Sequence, residues 1–165
     1  MLLFTLFSCS SSVKETLETV DQVDLAKYSG LWYEIAAYPN RFEKGCKCVT
    51  AEYSIIDSTT VRVINTCVDE KSGKIKKIKG KAFPVESSNN SKLKVQFFWP
   101  FKGDYWVLYL DDEYKHDIVG SPDKKFLWIL SREPNISKKK LEKLLLIIES
   151  KGFDKNKIRL TVQNC

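Results

Sequence analysis

One histidine stands in 165 residues, and that scarcity removes most of the chemistry a chain of this size could do. His116 has Asp117 beside it, but neighbours along a strand point to opposite faces, so the two cannot form a simple dyad. Catalysis would need a serine or a reduced cysteine brought to His116, and no motif indicates one. A metal centre meets the same shortage. Cys46 and Cys48 lack the two-residue gap of zinc ribbons, and only one imidazole could complete the set. A zinc knuckle, an RNP-type strand and an arginine-rich arm are also missing, so nucleic acid is a poor partner in spite of a net charge of +6. Long hydrophobic runs are lacking as well. The apolar, uncharged stretch from Met1 to Phe7 falls far short of the roughly 20 residues of a membrane-spanning helix. The expectation is a protein without enzyme activity, cofactor or metal.

The chain has the make-up of a folded soluble domain, 43% hydrophobic and 29% charged. At this length it is most simply one domain with a real core. The excess of basic residues points to an anionic neighbour, a membrane surface before nucleic acid, or else to a solvated basic face. Of five cysteines, Cys9 stands apart. Cys46, Cys48, Cys67 and Cys165 form an even set with three pairings open, and an oxidising compartment would favour disulfides. Leu6-Phe7-Ser8-Cys9 resembles the lipobox of bacterial lipoproteins. Residues 1–8 are therefore read as a signal remnant, Cys9 as the lipidated residue, 9–22 as a flexible Ser/Thr/Lys/Glu tether and 23–165 as the folded domain.

From Trp32 onward, short runs of period-two alternation recur between turn signals. They cover about Leu31 to Ala37, Thr50 to Ile55, Val61 to Thr66, Lys77 to Ala82, Leu93 to Trp99, Tyr105 to Leu110, Lys115 to Val119 and Phe126 to Arg132. Connections of hairpin length make this an all-β, eight-stranded, antiparallel up-and-down barrel, with a sandwich as the rival. One helix follows. Ser137 is its N-cap, Leu141, Leu144, Leu145 and Ile148 share a face, and Gly152 ends it, so it packs outside the barrel. A last strand is expected over Lys157 to Val162.

The stretch that ties these runs together is Gly30-Leu31-Trp32-Tyr33-Glu34-Ile35-Ala36, with Trp128-Ile129-Leu130-Ser131-Arg132 far downstream. A guanidinium on the indole face of Trp32 would join the last barrel strand to the first. Between them lie Arg41-Phe42-Glu43-Lys44-Gly45, Val63-Ile64-Asn65, Tyr105-Trp106-Val107-Leu108 with Asp111, and Gly120-Ser121-Pro122-Asp123. In this order and spacing the set resembles the lipocalins, in the branch that holds the bacterial outer-membrane lipocalin and apolipoprotein D. The resemblance implies a barrel closed at its base by Gly30, Trp32 and Arg132, with Asp111 in the second family motif. It implies small apolar ligands, fatty acids or lysophospholipids, and a place on the bacterial outer membrane facing the periplasm, anchored through Cys9. A homodimer is left open. By likeness to apolipoprotein D it also implies Cys48–Cys165, which leaves Cys46–Cys67. That second pair has a parity problem, because Cys67 shares the inward phase of Val63 and Asn65, and only a bulge or a strand end would reconcile it.

With odd positions inward on the second, third and fifth runs, the interior receives Tyr53, Ile55, Val63, Asn65, Val95 and Phe97. The phase of Arg132 sends Trp128 and Leu130 inward. Tyr53, Val63, Asn65, Val95, Phe97, Trp128 and Leu130 are the expected ligand contacts, with Asn65 as the polar handle of an otherwise apolar cavity. Two other readings stand beside this one: a lipocalin-fold enzyme using His116, and an envelope structural or interaction protein with a filled barrel.

Overall fold

The computed structural model describes residues 17–165, so Cys9 and its reading as a lipidated residue lie outside the described residues. A short helix, α1 (Leu25–Tyr28), precedes eight strands: β1 (Gly30–Ala37), β2 (Cys46–Asp57), β3 (Thr60–Asp69), β4 (Ile75–Pro84), β5 (Lys92–Phe98), β6 (Phe101–Leu110), β7 (His116–Gly120) and β8 (Leu127–Ser131). Each pairs with the next, β8 pairs with β1, and β1 pairs with β2, all antiparallel. The sheet is thereby closed into the eight-stranded up-and-down barrel, which leaves no free edge among those strands.

Short polar side chains set the hairpins by satisfying turn amides. Asp57 accepts from the Thr59 amide, and Asp69 accepts from those of Lys71 and Ser72 ahead of Gly73, whose φ is +68°. Helix α2 (Lys138–Ser150) is capped by Ser137, which accepts from the Lys140 amide at 3.2 Å. Three lysines in its first turn oppose the helix dipole. Burial holds it instead, with Leu144 and Ile148 fully covered in a cluster with Ile118, Leu127 and Ile129 on the outside of the barrel.

Four sequence expectations change. Residues 17–22, expected as the end of a tether, are docked. The Val20 amide donates to the Val107 carbonyl at 2.9 Å, Thr19 bonds Ser91, and Leu17 and Val20 pack on the two core clusters. The last strand shrinks to β9 (Arg159–Leu160), because the tail serves as a wedge rather than an edge. β1 pairs with β2 only through Gly30–Tyr33, and Ala36 and Ala37 pair with β9 instead. Beyond it, the Gln163 side chain donates to the Glu34 and Val49 carbonyls, both at 2.8 Å, bridging the seam. Trp99, expected inside, is 87% exposed, because it occupies the turn after β5. Ile55 is also exposed, beside an irregularity in the β2–β3 register near the strand end.

The cysteine parity problem has a local cause. The β2–β3 register slips by one between Lys47 and Thr50, and Cys48 within the slip has a φ of +50°. A bulge of this kind inverts the facing of every residue before it. Cys46 lies opposite Asp69 and so shares a face with Cys67, to which it is joined. Cys48 turns out to the tail and is joined to Cys165.

Candidate ligand-binding site

Trp32 begins the closed end. Its ring is fully buried, its indole donates to the Tyr28 carbonyl at 2.8 Å, and the Arg132 guanidinium sits 3.9 Å from the ring centroid. Arg132 also donates to the carbonyls of Lys27, Tyr28, Ser29, Leu31 and Tyr114. One side chain thus gathers the orphan carbonyls after α1 and locks them to the end of β8. Gly30 has a φ of +103°, and a Cβ there would stand 3.3 Å from an Arg132 nitrogen, so this corner needs glycine twice over. Asp111 does not touch the trio. It accepts from the Lys115 and His116 amides and pairs with His116 Nδ1 at 2.6 Å, fixing the β6–β7 turn. His116 is engaged there, away from Asp117.

Above the seal lies a polar floor that the strand pattern did not announce. The hydroxyls of Tyr28 and Tyr53 meet that of Tyr105 at 2.7 and 2.8 Å, and Tyr28 also donates to the Asp117 carboxyl. Asp117 is completely buried and its Oδ1 has no partner among the described residues. Desolvation pushes its pKa up to about 8, against smaller lowering by Tyr28 and Arg132, so the acid is neutral at pH 7. Parity could have found it, because Asp117 shares the inward phase of Val119.

The inner wall then divides. Tyr53, Val63 and Leu130 are buried around the floor, together with Val61, Leu93, Val107 and Val119. Asn65, Val95, Phe97 and Trp128 share the same inward phases one step nearer the other end and are only half-buried. Solvent therefore reaches them from the rim, where the β1–β2, β3–β4, β5–β6 and β7–β8 connections lie. The Asn65 Oδ1 is nevertheless buried and has no partner among the described residues. Trp128 stacks on Phe126 at 5.8 Å, and its indole donates to Glu43 at 3.0 Å.

Glu43 leads to a second buried acid. Glu34, in the phase of Trp32 on β1, is 5% exposed and accepts from the Thr161 hydroxyl. Burial, then repulsion from Glu43, raises its pKa to about 8. Both carboxylates line an open recess of about 530 Å³ bounded by the β1–β2 connection and the tail. None of the seven expected ligand residues lines that recess. Among the described residues no cluster of three histidines, cysteines or carboxylates is placed to hold a metal.

The profile described as "Lipocalin-like domain" matches residues 23–163. The chain is 40% identical over 156 residues to the outer membrane lipoprotein Blc of Citrobacter freundii, covering 94% of this chain and 88% of that one. Against apolipoprotein D of Macaca fascicularis it is 33% identical over 153 residues, covering 88% and 80%. Among solved structures, lobster apocrustacyanin A1 superposes with a TM-score of 0.71 at 24% identity, covering 85% of this chain and 79% of that one.

Proposed function

This chain belongs to the lipocalin family, and on that premise we propose that it binds a small hydrophobic ligand in the upper half of its barrel. The observation that carries the reading is the graded burial of one inward face. The same strands that fill the floor leave Asn65, Val95, Phe97 and Trp128 reachable from the rim. Apolar walls with one buried, unpaired amide oxygen suit an acyl chain whose polar end supplies the missing donor, so the ligand class is fatty acid or lysophospholipid. The polar floor limits how deep the chain enters. No covalent step is required of the site. Similarity to proteins named outer membrane lipoproteins supports an envelope location, and Cys9 would carry the anchor facing the periplasm.

The test is a titration of delipidated protein with oleate and lysophosphatidylcholine, read by tryptophan fluorescence. Saturable change that is lost in Trp128→Phe is the expected result. A flat response from folded protein would sink the reading and leave a filled barrel with a structural or partner-binding role.

A further inference from the structure

The rim carries a feature that ligand binding does not need. Phe98, Trp99 and Phe101 are 65%, 87% and 77% exposed at the β5–β6 hairpin, Ile75 is 72% exposed at the start of β4, and Phe42 is 65% exposed in the β1–β2 connection. All lie at one end of the barrel, because these connections are alternate turns of an up-and-down sheet. Hydrophobics this large, clustered and unburied mark a contact surface.

Charge says what the surface faces. The rim connections, residues 38–45, 70–74, 99–100 and 121–126, hold Arg41, Lys44, Lys71, Lys74, Lys124 and Lys125 against Glu43, Glu70 and Asp123, a net of +3. The connections at the closed end, residues 58–59, 85–91 and 111–115, hold Glu86, Asp111, Asp112 and Glu113 against Lys115, a net of −3. The turns are thus polarised along the barrel axis, aromatics and positive charge standing together at the rim, while at the other end the acid Asp111 is met by Lys140 at the start of α2. We propose that the rim docks on an anionic phospholipid bilayer, the β5–β6 tip entering the interface with Trp99 foremost and the lysines meeting lipid phosphates. A second copy of the chain would present the same positive rim and be repelled. Docking rests on the binding reading only for its consequence: the mouth of the cup faces the lipid, and an acyl chain exchanges without crossing bulk water.

The experiment uses the full chain carrying Cys9→Ser, so that no lipid holds it, floated with phosphatidylcholine vesicles with and without phosphatidylglycerol. The expected result is flotation that requires phosphatidylglycerol, weakens with salt and shifts tryptophan emission to the blue. Trp99→Ser should lower partitioning about tenfold, the order expected for one indole leaving apolar surroundings. Oleate titration of both proteins should be unchanged. A folded chain that stays at the bottom of the gradient, floats equally well with Trp99→Ser, or uses Trp99 to dimerise without vesicles overturns the proposal. Oleate saturation without flotation defeats docking alone, whereas flotation without oleate saturation upholds docking and defeats the binding reading.

Discussion

The two ends of this barrel are made from the same strands and do opposite things with them. At the closed end, Trp32, Arg132 and the three-tyrosine floor satisfy nearly every polar group while excluding water. At the open end, the same inward phase presents half-buried side chains, beside a recess lined by Glu34, Glu43 and Glu70 and a rim of exposed aromatics. Burial stabilises, and a binding surface must forgo it. Stability is therefore concentrated at the closed end, and substitutions of similar size should separate the two ends.

The largest effect is expected at the seal. Trp32→Ala removes a fully buried indole, the floor of the guanidinium stack and the bond to the Tyr28 carbonyl. A loss of about 3–5 kcal/mol, read as the shift of the urea midpoint, follows from the usual cost of emptying such a site. A midpoint within error of the parent would mean that the seal does not hold the closed end.

Each end also hides one neutral acid. Asp117 below and Glu34 above have pKa values raised to about 8 by desolvation, whereas in the unfolded chain both titrate near 4. Between those values the native state binds more protons than the unfolded one, so stability is present below about pH 4 to 5 and falls as pH rises through about 8. Asp117→Asn and Glu34→Gln should each flatten that fall, by on the order of 4 kcal/mol between pH 5 and 9. Urea midpoints at pH 5, 7 and 9 check it. A parent whose stability climbs over this range would contradict both assignments.

How much of this was legible in the sequence follows the same division. Period-two alternation placed the eight strands, and Ser137 placed α2, because each rests on a local signal. Gly30, Trp32 and Arg132 were legible as a set through spacing and family likeness, and they meet. What escaped depends on three dimensions. The bulge at Cys48 reverses facing before it, so parity on β2 gave no geometry for Cys46 with Cys67. Trp99 continues an alternating run but falls in a turn, where alternation has no meaning. Glu34 and Asp117 look like ordinary strand acids until their neighbours are known. The docked stretch 17–22 has the composition of a linker and is held by backbone bonds, such as Val20 to Val107, that composition cannot report.

The smallest effect is expected two residues from a large one. Leu93 and Val95 lie on the same face of β5, the first 2% exposed against the floor, the second half-buried on the open wall. Leu93→Ala should lose about 2–5 kcal/mol, since the cavity it leaves is enclosed. Val95→Ala uncovers a space that water already reaches, so less than ~1 kcal/mol should be lost. If the wall takes an acyl chain, the order reverses in binding: Val95→Ala weakens oleate affinity several-fold, and Leu93→Ala, beneath the chain's end, does not. Equal stability losses at the two positions would mean that the upper barrel is packed like the floor. The distinction between a sealed end and a receiving end would then dissolve.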